Sequence, residues 1–425
     1  MRSVGAVEIN SVRDQQSDNS FFQEWTAKAL EHASKITLAS PGRGSATESE
    51  MKAASYVHEY LSRIGTGNLR IQEFNGLRSI WFFLALTFGF ALLGHAAFWL
   101  LRIPLGILPA LFLSIVAFAF SGFMLFSKFT FRDFPFRNTL PHGKSRNVVA
   151  VLPARKETRQ KVVLISHLDS HRAVIWFASD LLVKAYRLLS MLAIYGVLLA
   201  PLVYLLVVVT GFIPLIWIGA LLALVHLSAW FTGMTADLGL YSPGANDNAA
   251  AVGTVMALGE RILAQPLQHT EVWLAFTGCE ETGCDGIKVF LDAHQKELSQ
   301  ALFLDFELIG IGDQLSYVRS EGVVRKKSIS PEAEQLIQEA GSELAIHPLD
   351  GIGAGVFTEI GVVWERGLQG ACLVAHRDGS DMLPEWHRLT DTPDRLEPEA
   401  LGRVHAAAWN LLQKVDETAI KTGVV

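Results

Sequence analysis

The chain has 425 residues, of which 50% are apolar and only 18% are charged, a composition lean in charge for a soluble protein. Its net charge of −6 argues against nucleic acid as a partner, and none is expected. Cys279, Cys284 and Cys372 form neither a CxxC pair nor a disulfide framework, which fits a reducing compartment.

The first 78 residues are polar and mixed in charge, with no basic start leading into an apolar stretch, so no cleavable signal peptide is expected. Phe22, Trp25, Ala29 and His32 have helical spacing and predict a helix over Phe21–Leu38, which Pro41-Gly42-Arg43-Gly44 breaks. Ser45 or Thr47 can cap a second helix carrying Glu48 and Glu50 in its first turn, and Leu69–Phe74 alternates like a strand.

From Ser79 to Leu101, and again after Pro104 as far as Ser127, there is no charged residue. Each run can supply the ~20 helical residues that cross a bilayer core. Two further runs, Leu188–Val209 and Phe212–Phe231, turn at Thr210, Gly211 and Pro214. The expectation is four transmembrane helices in two hairpins, at 79–127 and 188–236, inserted into one folded domain made of 1–78, 128–187 and 237–425.

Between and after the hairpins the pattern is that of an α/β domain. Strands are predicted at Val148–Leu152 and Val162–Ser166, the latter running into His167-Leu168-Asp169-Ser170. Pro243-Gly244-Ala245-Asn246-Asp247-Asn248 opens a helix ending near Leu263. A buried strand at Val272–Phe276 then turns at Gly278 and presents the adjacent acids Glu280 and Glu281. Leu302-Phe303-Leu304-Asp305, a helix over Pro331–Leu344, strands near Val362 and at Ala371–Val374, Trp386-His387, and a helix over Pro398–Lys414 complete the chain. Alternating strands and helices predict an α/β sandwich with a largely parallel sheet, its polar candidates beyond the strands' C-terminal ends.

Two carboxylates as close as Glu280 and Glu281 repel, and are best tolerated when one is neutralised by a cation while the other handles a proton. The candidate ligands are His167, Asp247, Glu281, Asp305 and His387, an imidazole and carboxylate set suited to zinc, in which a bridging carboxylate lets two cations share a site. Taken singly, His167 could be a hydrogen-bonded core histidine and Asp247 a helix cap. Asp305 is harder to read that way, because a carboxylate entering a core needs a partner.

In order, Ser40-Pro41-Gly42-Arg43-Gly44-Ser45, His167-x-Asp169, Asn246-Asp247-Asn248, Glu280-Glu281, Asp305, and His387 with Asp391-Thr392 resemble the zinc aminopeptidases of metallopeptidase family 28. The resemblance implies a three-layer, phosphorylase/hydrolase-like zinc exopeptidase fold holding two zinc ions per chain. Asp247 would bridge the ions, with His167 and Asp305 completing one site and Glu281 and His387 the other. Glu280 would be the general base and Asp169 would orient His167, while Asp391 would have a lesser structural role. Trp386 stands where some members have a tyrosine, and the second hairpin fills the usually short connection from Asp169 to Asp247.

The expected function is therefore a membrane-embedded aminopeptidase with a peptide substrate, a lipid bilayer as partner, and hairpins that offer a surface for a homo-oligomer. A glutaminyl cyclase binding a single zinc, and a receptor or scaffold that kept the fold without the chemistry, are the other readings. Arg70, Arg78, Lys128, Arg132, Arg137, Arg172, Lys184 and Arg187 flank the soluble segments, whereas the hairpin turns offer only Arg102. This bias predicts a catalytic domain on the cytoplasmic side of the inner or plasma membrane. His95 and His226, one in each hairpin, are expected to be hydrogen-bonded inside the bundle.

Overall fold

The computed structural model describes residues 23–323, 325–341, 345–350, 357–380 and 382–422. The first two residues of the helix expected at Phe21–Leu38, and the last three of that expected at Pro331–Leu344, lie outside the described residues.

Helix α1 covers residues 23–39, and α2 spans Glu48–Arg63. Thr47 caps α2 by accepting the N–H of Glu50, which satisfies a donor the helix itself cannot. Strand β1 (Arg70–Leu77) leads into α3 (Trp81–Leu101) and α4 (Ile107–Phe129). Strands β2 (His142–Leu152) and β3 (Gln160–His167) follow, then α5 (Asp180–Thr210) and α6 (Ile216–Thr235). The remainder comprises α7 (Ala250–Ala264), β4 (Thr270–Thr277), α8 (Asp285–His294), β5 (Leu302–Glu307), β6 (Gln314–Val318), the short ribbon β7 (Ser320–Glu321) and β8 (Lys327–Ser328), α9 (Pro331–Ala340), β9 (His347–Leu349), α10 (Glu359–Glu365), β10 (Gln369–His376) and α11 (Pro398–Thr422).

Eight strands form one sheet in the order β1-β2-β4-β3-β5-β10-β6-β9. Its centre, β4-β3-β5-β10, is parallel, and the middle stretches of its strands are buried, mostly apolar runs, as a sheet covered on both faces demands. Leu274 lies under α7 at Gly259, and its neighbour Trp273 packs on Phe290 and His294 of α8. Since successive side chains alternate, α7 and α8 cover opposite faces, giving three layers. The strand expected near Val362 is instead part of α10, whose buried Ile360–Val363 run packs on β5 and β10; tertiary burial overrides the β-branched signal there.

The four apolar helices form a bundle in which α3 packs on α4 and α6, and α5 packs on the same two. All four are long and apolar enough to cross a membrane, and their outward faces expose residues such as Leu100, Phe112, Leu198, Trp217 and Leu224, an apolar girdle of the kind that water-facing proteins avoid. Helix α5 begins at Asp180 rather than at Leu188, because Ser179 caps it by accepting the N–H of Leu182. His95 and His226 are buried within the bundle. The His226 Nε2–H donates to the Ala193 carbonyl at 3.0 Å, so its Nδ1 accepts from His95 Nε2–H at 2.9 Å, and His95 Nδ1 accepts the Tyr204 hydroxyl at 2.5 Å. A side chain at Gly219 would collide with the Tyr204 ring at 2.5 Å, so glycine there lets α6 admit the tyrosine.

Candidate metal centre

The parallel strands β3, β4 and β5 end side by side. Ile165 is in register with Asp305 and His167 with Thr277, so two residues further on His167 is level with Glu307. At this edge the chain turns sharply. Cys279, Leu308 and His387 have φ values of 55°, 47° and 57°, left-handed backbone that L-residues seldom adopt and that recurs around functional sites. Gly278 makes the first of these turns, where a Cβ would meet Ser145 Oγ at 2.2 Å and Glu50 Oε1 at 2.9 Å.

Two clusters converge here. In one, His167 Nε2 lies 3.4 Å from Asp247 Oδ1 and 3.2 Å from Glu307 Oε1. In the other, His387 Nε2 lies 3.3 Å from Asp247 Oδ2 and 3.2 Å from Glu281 Oε2, and the ligand atoms of His171, Glu281 and His387 gather within 4.8 Å. Asp247 thus turns one oxygen to each histidine, the geometry of a bridging carboxylate. His167 Nδ1 faces the Asp169 carbonyl at 3.1 Å and His171 Nδ1 the Arg172 carbonyl at 3.0 Å. A carbonyl only accepts, so both Nδ1 atoms carry a hydrogen, which leaves Nε2 of each neutral ring as the nitrogen able to bind a metal.

Of the expected ligands, His167, Asp247, Glu281 and His387 come together and Asp305 does not. Asp305 lies two residues deeper in β5, where its Oδ2 accepts the Ile360 N–H at 3.1 Å. Glu307, the last residue of the strand, takes its place beside His167. Period-two alternation puts Asp305 and Glu307 on one face, but only the strand's end reaches the mouth. His171, four residues after His167, was also not anticipated; its ring stacks on that of His387 with centroids 3.8 Å apart.

Burial, and then the Glu281, Glu307 and Asp169 carboxylates, push the Glu280 carboxyl well above its ordinary range against the pull of His167. Burial likewise lifts Glu281 well up and Glu307 to about 7. Asp247 Oδ1 and Oδ2, Glu281 Oε1 and His387 Nδ1 are buried without a hydrogen-bond partner among the described residues. Three orphaned carboxylate oxygens in one place are costly unless cations complete them. The donor set, imidazole nitrogens and carboxylate oxygens in two groups sharing one carboxylate, fits zinc.

The surrounding residues hold these groups in place. Asp169 accepts the N–H groups of Glu280 and Glu281 at 3.0 and 3.1 Å and the Ser45 hydroxyl at 2.5 Å, and its Oδ1 lies 3.5 Å from His167 Nδ1. Asp391 accepts the N–H groups of Asn246 and Asp247 at 2.7 and 3.0 Å. Arg43, fully buried, donates to the carbonyls of Leu168, Pro243 and Gly244, tying the turn after His167 to the one before Asp247. Glu50 accepts the Cys279 N–H at 2.7 Å and so anchors the turn into Glu280.

Residues 221–412 match Peptidase family M28, a span that contains Asp247, Glu280, Glu281, Glu307 and His387 but not His167. No curated protein matches the chain by sequence. Among solved structures, a glutaminyl cyclase from Tannerella forsythia is 13% identical with a TM-score of 0.52, covering 91% of this chain and 98% of its own. BSAP, a zinc aminopeptidase from Bacillus subtilis, is 12% identical with a TM-score of 0.53, covering 92% and 95%. A Zn-dependent exopeptidase from Parabacteroides distasonis is 11% identical with a TM-score of 0.54, covering 91% and 97%. At such identities the likeness is one of fold, and it matches the hydrolase-like sandwich expected from the sequence.

Proposed function

From the match of residues 221–412 to peptidase family M28, we propose that the chain is a member of that family and a membrane-embedded dinuclear zinc exopeptidase releasing N-terminal residues from peptides. The observation that carries the reading is Asp247, whose two oxygens face two separate imidazole and carboxylate groups. His167 and Glu307 would hold one ion, His387, Glu281 and His171 the other. Zinc there would act as a Lewis acid toward the scissile carbonyl and ease deprotonation of a water.

The chain's own residues do the rest. Glu280 lies in the same cavity as Glu281, Glu307 and His387. Its carboxylate takes the proton of the attacking water and returns it to the departing amine, and burial raises its basicity for that task. Asp169, through the two backbone N–H groups it accepts, fixes the direction in which Glu280 and Glu281 leave the strand. Trp386, whose ring lies 4.5 Å from that of His387, supplies only an indole N–H toward a developing oxyanion.

Both hairpins begin and end beside the site, since Trp81, Phe129, Arg187 and Thr232 line the cavity that holds Glu280. In this reading their turns lie at the far side of the bilayer, and the basic bias of the flanking segments supports a cytoplasmic catalytic part. Reporter fusions test this: a reporter at Arg102 should be active outside and one at the C-terminus inside, and the reverse pattern would overturn the orientation. A glutaminyl cyclase is the second reading, favoured by the likeness to such enzymes. Hydrolysis of aminoacyl amides by purified zinc-loaded protein, abolished in Glu280→Gln, supports the peptidase; cyclisation of N-terminal glutamine in place of hydrolysis would replace it.

A further inference from the structure

The centre opens into a cavity of about 220 Å³ that continues between all four apolar helices. Glu280, Glu281 and His387 stand at its upper end, and Phe88 of α3, Leu125 of α4, Ile194 of α5 and Val225 of α6 line its depth. From Trp81 to Phe88 on α3 and from Tyr186 to Ile194 on α5 the walls extend roughly 10 Å at the helical rise. Lys128, Arg187, Ser190, Ser228 and Thr232 interrupt the apolar lining, and the Thr232 hydroxyl is already engaged by Trp176 Nε1 at 3.0 Å. The lower end is closed where Phe88 stacks on His226, whose Nε2 is bonded to the Ala193 carbonyl.

An ordinary residue at the end of a peptide needs a recess only as deep as its side chain. A narrow, mostly apolar shaft leading from the reacting atoms into the plane of a bilayer suits a flexible hydrocarbon chain, whose burial there is favourable by the area it removes from water. We propose that the substrate is a lipophilic amide, with an apolar chain next to the scissile bond lying between α3, α4, α5 and α6 while the amide rests against Glu280. The inference rests on the metallohydrolase reading above and names its substrate class. The chain can arrive as a long side chain on a residue with a free amino group or as an N-acyl group, and both place the same hydrocarbon in the shaft.

The test uses full-length zinc-loaded protein in detergent and two substrate pairs with one reporter amine: alanine against 2-aminooctanoic acid amides, and acetyl against octanoyl amides. The longer member of at least one pair should exceed the shorter by at least about tenfold in kcat/KM, and the pair that shows it identifies the source. Ala229→Phe, which fills the shaft, should bring that ratio close to one, whereas Leu224→Phe on the outward face should leave it. Hydrolysis without chain-length dependence overturns the inference and leaves the metallohydrolase reading standing; absence of both zinc and hydrolysis removes the latter. A readout independent of turnover is labelling by octanoyl hydroxamate bearing a terminal diazirine. Adducts on Phe88, Ile194 or Val225 support the shaft, and adducts confined to outward residues such as Leu198 contradict it.

Discussion

Two of the histidine-centred polar clusters that the molecule buries, one in the helix bundle and one at the strand ends, are finished differently. In the helix bundle, Tyr204, His95, His226 and the Ala193 carbonyl form one directed chain in which every ring nitrogen is used. At the strand ends, His167 and His387 face carboxylates whose oxygens at Asp247 and Glu281 find no donor among the described residues. A closed hydrogen-bond set holds helices together, whereas an open one of imidazoles and carboxylates awaits cations. The comparison separates a structural cluster from a reactive one without reference to the family.

The largest effect should come from the group that the open cluster leaves free for chemistry. Glu280→Gln should lower kcat by about 100-fold to 10,000-fold with bound zinc unchanged; near-normal turnover in a folded variant would remove Glu280 from the reaction. Next, Glu307→Gln should cost bound zinc, measured by elemental analysis, while Asp305→Asn should keep it. The opposite result would restore the sequence-based assignment.

That pair also shows what was legible in the sequence. The strand ending at His167, the Asp247 turn, the Glu280-Glu281 pair and His387 could be placed because each follows a strand or turn signal. Asp305 and Glu307 share a face in the period-two pattern, so only knowing where β5 ends and how it registers with β3 tells which of them reaches the mouth. His171 was hidden because its role depends on the His387 loop folding back over it, a contact that no local pattern encodes. The bundle's polar chain was anticipated for His95 and His226, while Tyr204 was not, being indistinguishable in sequence from other interior aromatics. The Val362 run was misread because a short buried helix and a buried strand have the same composition.

A smaller effect is expected in the closed cluster. His95→Leu should lower thermal stability by about 1–3 kcal/mol, since it strands the Tyr204 hydroxyl and a His226 nitrogen, with zinc content unaltered. Loss of zinc in that variant would mean that the two clusters are coupled. Smaller still, Ser45→Ala removes one of the donors on Asp169 and should cost about 1 kcal/mol, read as a lower unfolding midpoint with the two backbone donors still holding the carboxylate.

The bridging role of Asp247 is the claim on which the site stands, and zinc per chain measures it most directly. Wild type should hold close to two zinc ions, and Asp247→Ala, which removes the shared oxygens from both groups at once, should hold close to none. One zinc in wild type, or as much zinc in Asp247→Ala as in wild type, would contradict the dinuclear account.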